Sequence, residues 1–119
     1  MFRVIIAGTR DFNNYPLLCE YADYKLSKVN EEIEIVSGHA RGADMLGERY
    51  AQERCYKLTV FPAEWEKYGK SAGPRRNKEM AKYANALIAL WDGKSKGTLN
   101  MIETAEEKGL KVGVKIYKG

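Results

Sequence analysis

The chain has 119 residues, of which 45% are hydrophobic and 30% charged, with a formal charge of +4. That is enough for one domain with an ordinary buried core, and the composition excludes a disordered segment. Lysines and arginines are scattered rather than bunched, which permits contact with nucleic acid without demanding it.

In chain order, Phe2 to Ala7 is a β-rich run whose Val4-Ile5-Ile6-Ala7 is apolar on both faces. A helix is predicted from Pro16, with Leu18, Ala22, Leu26 and Val29 on one face and proline in the first turn. Ile33 to Val36 reads as a second strand, Ala43 to Arg54 as a helix with Leu46, Tyr50 and Ala51 inward, and Leu58 to Phe61 as a third strand closed by Pro62. A long connection to about Pro74 leads into a helix through Met80, Ala81 and Ala84. Ala86 to Trp91 is again apolar on both faces. The helix after Gly97 groups Leu99, Ile102 and Ala105 and ends at Gly109, and a final strand from Lys111 to Tyr117 turns Val112, Val114 and Ile116 one way. Cys19 and Cys55 fall in predicted helices without CxxC spacing, and a lone His39 offers no zinc set, so neither a metal nor a resident cofactor is expected. The apolar start is too short for a signal peptide, and no run is long enough to span a membrane. A cytoplasmic protein without a membrane partner is expected.

Strands alternating with helices predict an α/β fold, a Rossmann-like three-layer sandwich over residues 1–119. The strands apolar on both faces belong at the centre of a parallel sheet, and the lysine-marked last strand at an edge. With right-handed crossovers the simplest order of the five strands is 3-2-1-4-5. That order changes direction between strands 1 and 4, and ligands of such sheets sit beyond the strand ends at this crevice.

Three glycine-bearing segments lead from strand to helix: Gly8-Thr9-Arg10, Ser37 through Asp44, and Asp92-Gly93-Lys94-Ser95-Lys96-Gly97-Thr98. Such turns converge backbone N–H groups at the positive end of a helix, where phosphate is bound. Gly8, Gly38, Gly42, Gly93 and Gly97 are expected to let a ligand approach the backbone. Arg10, Arg41, Arg76, Ser95 and Thr98 are the expected phosphate holders, with Thr9, Ser37 and Asn77 as further polar contacts. Asp44 and Asp92 are placed near a ribose, although Asp44 also reads as an acidic residue of a first helical turn and Asp92 as a solvated turn residue. Trp65 could stack on a base or simply pack its own loop. Of the adjacent Arg75 and Arg76, one is expected to face the pocket and the other solvent. His39 has no carboxylate partner close in sequence and reads as a non-catalytic loop residue.

Together with Phe61-Pro62-Ala63-Glu64-Trp65 and Gly73-Pro74-Arg75-Arg76-Asn77, these segments resemble, in this order, the SLOG superfamily. Its members include DNA-processing protein A, the cytokinin-activating Lonely Guy enzymes and, most similar to this chain, the small YspA/YpsA-like family. The resemblance covers nearly the whole chain. It implies a Rossmann-like domain that binds nucleotides or nucleotide-derived ligands, in a sensing role for some members. DNA-processing protein A, which binds single-stranded DNA, is similar at Ser37-Gly38-His39-Ala40-Arg41-Gly42 and Arg75-Arg76-Asn77, but this chain lacks its additional domains. The Lonely Guy enzymes cleave nucleoside monophosphates with an arginine and a glutamate. Arg76 matches that arginine, but Met101 stands where the glutamate belongs. Glu103 lies roughly 200° further round the helix and cannot simply replace it.

The expected function is therefore binding of a nucleoside phosphate or an ADP-ribose-like molecule. N-glycosidic hydrolysis of nucleoside monophosphates is one alternative, with Asp92, Asp44 and Arg76 as candidate catalytic groups. Binding of single-stranded nucleic acid is a third reading and the less favoured partner class. The sequence leaves enzymatic activity and a homo-oligomeric state open.

Overall fold

The strands that are apolar on both faces form the middle of the sheet. In the structure, a computed structural model that describes residues 1–118, β1 (Phe2–Gly8) pairs in parallel with β4 (Ala86–Trp91), from Val4 opposite Ala86 to Gly8 opposite Leu90. On its other side β1 pairs with β2 (Ile33–Ser37), which pairs with β3 (Lys57–Val60). β5 (Lys111–Ile116) completes a parallel sheet of order β3-β2-β1-β4-β5.

Alternation along the central strands divides the core in two. Val4 and Ile6 of β1, with Ile88 and Leu90 of β4, join Leu18, Ala22 and Leu26 of α1 (Tyr15–Leu26) and Tyr50 and Ala51 of α2 (Ala43–Glu53). Ile5 and Ala7, with Leu87 and Ala89, join Met80 and Ala81 of a helix on the opposite face and Met101, Ile102 and Ala105 of another. The Asn14 side chain caps α1 by accepting the Leu17 N–H at 3.1 Å, which leaves Pro16 in the first turn where no donor is missed. No described helix is long and apolar enough to cross a membrane.

Four sequence expectations change. The connection after Pro62 is itself helical: α3 (Trp65–Tyr68) and a 3₁₀ turn (Gly69–Ser71) run directly into α4 (Ala72–Tyr83), which starts two residues ahead of Pro74. In α5 (Lys96–Glu107) the inward residues are Thr98, Met101, Ile102, Thr104 and Ala105, while Leu99 is 38% exposed. Ile102 and Ala105 face inward as expected, and Thr98 and Met101 take the buried positions of the first turns in place of Leu99. Ile116 is 61% exposed at the end of the edge strand, and Tyr117 instead packs edge-on against Phe12 at 4.8 Å. Cys55 lies just past α2 at a φ of 58°, outside the helix.

At the opposite end of the sheet from the glycine loops, Glu34 of β2 is fully buried. It accepts hydrogen bonds from the Tyr83 hydroxyl and from Thr59 (2.8 Å), with Lys57 and Arg3 at 3.6 and 3.7 Å. Burial pushes its carboxyl up, but these partners outweigh burial and hold it below its ordinary range. Removing a hydrogen bond to a buried charge costs roughly 1.5–3 kcal/mol. Tyr83→Phe should therefore lower the unfolding free energy measured in urea by that amount at pH 7. The loss should shrink as acid protonates Glu34, since a depressed carboxyl stabilises the fold only while ionised.

Candidate functional site

The C-terminal ends of β1 and β4 separate where their connections leave in opposite directions, and a cleft of about 620 Å³ opens there. Its walls come from the β1–α1 loop (Gly8 to Asp11), the start of α2, the starts of α4 and α5, and Trp65. Met80 and Met101 supply apolar floor, while Arg10, Arg41, Lys70, Arg76 and Lys96 face Asp11, Asp44 and Asp92 across it. The cleft is net cationic.

The fourth strand's loop is fixed by its own residues. Asp92 Oδ1 accepts the N–H groups of Lys94 and Ser95, both at 2.8 Å, and Trp91 Nε1 donates to the Ser95 carbonyl at 3.0 Å. Those backbone donors hold the Asp92 carboxyl below its ordinary range. The Asp92 N–H donates to Thr9 Oγ1 at 3.2 Å, which ties the two central loops together. The first hydrogen bond of α5 runs from Leu99 N–H to the Ser95 carbonyl. The amides of Lys96, Gly97 and Thr98 precede it and have no acceptor inside the helix, so their positive ends are directed at the cleft. A Cβ on Gly97 would meet no atom within 4 Å.

Arg76 of α4 reaches across the end of β2. Its Nη1 donates to the Gly38 carbonyl at 2.5 Å and its Nε to Asn77 Oδ1 at 3.0 Å. Burial holds its guanidinium somewhat below its ordinary range, with Asp44 pulling the other way. Arg75 turns outward, over the Tyr68 ring at 4.3 Å. Asn77 is buried and donates to Asn100 at 2.9 Å, which locks α4 to α5. Trp65 packs its own loop against the Gly73 backbone, and it also lines the cleft with Arg10 5.8 Å from its ring.

Asp44 is the buried ionisable group of the cleft. Burial pushes its carboxyl up to about 6, against the N–H groups of Ala40 and Gly8 and the charge of Arg76, with Glu48 adding to the rise.

Of the expected ligand contacts, Gly8, Thr9, Arg10, Arg41, Asp44, Trp65, Arg76, Asn77, Asp92, Ser95, Gly97 and Thr98 all line this cleft. Others are spent on the protein itself. The Ser37 hydroxyl donates to Glu48 Oε2 at 2.8 Å and is fully buried, so it is no ligand donor. Gly38 makes room for Arg76 and Asp44, since a Cβ there would lie 2.7 Å from Arg76 Nη1. Gly42, at a φ of 75°, is pressed against the Thr9 carbonyl. Gly93 turns its loop at a φ of 81° away from the cleft, and Lys94 stays outside it. Lys70 and Asn100 line the cleft unforeseen, because only the packing of α4 and α5 brings them there. His39 does have a carboxylate partner: its Nδ1 lies 2.8 Å from Oε2 of Glu48, nine residues on in α2. Among the described residues no cluster of potential metal ligands occurs.

Comparison with known proteins agrees with this architecture. The chain is 31% identical over 118 residues to the Gene 61 protein of Mycobacterium phage D29, covering 94% of each. The fold matches that of DNA processing protein A from Streptococcus pneumoniae with a TM-score of 0.70 at 19% identity, over 95% of this chain. This chain corresponds to 49% of that longer protein. The model of the YspA, cpYpsA-related SLOG family matches residues 2–68. The chain belongs to the YspA- and cpYpsA-related SLOG family.

Proposed function

We propose that the chain is one nucleotide-binding unit and that the cleft takes a nucleoside phosphate or a nucleotide-derived ligand, phosphate on the start of α5. The observation that carries this reading is the set of unpartnered amides at Lys96, Gly97 and Thr98, facing Arg10 and Arg76 in one net-cationic cleft. Family membership and the DNA-processing-protein-A-like fold support nucleotide or nucleic-acid binding in general. A charge-assisted hydrogen bond contributes roughly 1.5–3 kcal/mol, so Arg76→Ala or Arg10→Ala should weaken nucleoside monophosphate binding about ten- to a hundredfold. Calorimetric titration measures this, and unchanged affinity in both variants overturns the reading.

Glycosidic hydrolysis is the weaker alternative. Met101 lines the cleft where the related hydrolases carry glutamate, Glu103 points to solvent, and Asp92 is held ionised by its loop. Asp44, buried and raised to about 6, is the remaining candidate acid or base. The expected result is no release of free base from nucleoside monophosphates. Release that survives Asp44→Asn would exclude Asp44 as well.

Strand-tracking nucleic-acid binding makes a different demand. Log affinity for single-stranded DNA would fall with log salt at about −0.7 per phosphate neutralised. With a net charge of +4 spread over the surface, weak and non-saturable DNA binding is expected at physiological salt.

A further inference from the structure

A second cleft, of about 410 Å³, adjoins the first over the ends of β2 and β3. The two share one wall, made chiefly of Arg10, Arg41, Arg76 and Trp65. Beyond that wall the second cleft is lined by His39 and Ala63 among others, and among the described residues no carboxylate lines it. The first cleft sets Asp11, Asp44 and Asp92 against its cations; the second has none to set. Anionic character in a ligand is thus favoured twice, at the start of α5 and again at the three-arginine wall.

The imidazole of His39 is oriented by a relay. Its own backbone N–H donates to Ser37 Oγ at 3.0 Å, and the Ser37 hydroxyl donates onward to Glu48 Oε2 at 2.8 Å. The same carboxylate oxygen lies 2.8 Å from His39 Nδ1. Nδ1 is thereby engaged by Glu48, and the ring presents its other nitrogen, Nε2, away from that contact. His39 lines the second cleft, Nδ1 is already taken, and Nε2 is the nitrogen left to meet a ligand hydroxyl.

We propose that the two clefts together hold a 5′-phosphorylated ribodinucleotide, its terminal phosphate between α5 and the first-cleft side of Arg10 and Arg76, its linking phosphate on Arg41 at the shared wall, and its second ribose against His39. This rests on the nucleotide reading of the first cleft and adds the second half of the ligand. A ligand carrying two phosphates suits a site with two cationic positions, and Trp65 on the shared wall offers an aromatic surface to a base. A ribose 2′ hydroxyl both donates and accepts, so it can pair with Nε2, and a deoxyribose lacks that hydroxyl.

The test titrates the protein with adenosine 5′-monophosphate, with the 5′-phosphorylated adenylyl ribodinucleotide, with its deoxy counterpart and with the 5′-phosphorylated hexanucleotide. The ratio of affinities within each variant is the readout. The ribodinucleotide should bind roughly ten- to a hundredfold tighter than the monophosphate, and about three- to tenfold tighter than the deoxy form. Ala63→Glu, which places a negative charge in the second cleft, should bring the first ratio towards one. His39→Asn should abolish the ribose preference; asparagine tolerates the φ of 60° found at this position, so the loop is retained. Monophosphate binding without any gain for the dinucleotide overturns the second subsite and leaves the first reading standing. Binding of neither overturns both. A gain untouched by Ala63→Glu, or affinity still climbing to the hexanucleotide, overturns the two-cleft ligand in favour of an outer, strand-tracking surface.

Discussion

Gly42→Ala should destabilise the protein by about 3–5 kcal/mol, through strain in a backbone region that is essentially glycine's alone and overpacking against fixed atoms. Gly42 has a φ of 75° and ψ of −124° at the start of α2. A Cβ there would stand 2.4 Å from the Thr9 carbonyl oxygen and 2.5 Å from that of Arg10. Both are backbone atoms, and the Thr9 carbonyl also accepts the N–H groups of Ala43 and Phe12, so it has little freedom to withdraw. Total stability of a domain this size is about 5–15 kcal/mol, and the loss would take a large share of it. Urea midpoints and thermal melts measure the effect, and a loss below about 1 kcal/mol would contradict this packing. Gly97→Ala is the informative contrast. Its Cβ meets nothing within 4 Å and its residue is helical, so stability should hold or rise by about 0.5–1 kcal/mol. The same methyl would narrow the approach to the α5 amides and weaken phosphate binding. On the proposed reading, one glycine is needed by the fold and the other by the ligand.

This contrast marks what the sequence made legible. That β1 and β4 are central follows from apolar residues on both faces, and the order of the sheet and the crevice between those strands follow from that centrality. The glycine segments locate the strand ends, and most of the residues singled out in them line the cleft. Spacing along the chain does not reveal how a polar group spends its hydrogen bonds. Ser37, expected at a ligand, is taken by Glu48, and His39 finds the same carboxylate nine residues on, because the first turns of α2 fold back over the loop that precedes them. Helical periodicity likewise groups Leu99 with Ile102 and Ala105, but in the first turn of α5 it is Thr98 that is buried, and Leu99 is left partly exposed. Lys70 and Asn100 enter the cleft from α4 and its approach and from α5, a tertiary arrangement with no local signature.

The other large effect is a dependence on pH that runs opposite to that of carboxylates held ionised by their partners. Asp44→Asn should stabilise the protein by about 2–3 kcal/mol at pH 8, a gain that fades as the pH falls below about 6. The ordinary carboxyl of the unfolded chain titrates at 3.8, whereas burial raises the folded group to about 6. Between those values the folded chain holds a proton that the unfolded chain has lost, so wild-type stability must rise as the pH falls through 6 and level off below 3.8. The groups around Asp44 oppose one another: the Ala40 and Gly8 N–H groups and Arg76 favour the ionised form, and Glu48 disfavours it. Asparagine keeps an acceptor for the Ala40 N–H and carries no charge to desolvate. Glu34 titrates in the opposite sense, losing its contribution in acid, but it is present in both proteins and cancels in their difference. Urea midpoints of wild type and variant at half-unit steps from pH 4.5 to 8 give that difference directly. A gap that stays constant across this range would mean that Asp44 is solvated rather than buried. A carboxylate that weakens the fold at neutral pH is costly unless the cleft uses it, and its place beside Arg76, under the proposed sugar, is where a hydrogen-bond acceptor for a ribose hydroxyl would be needed.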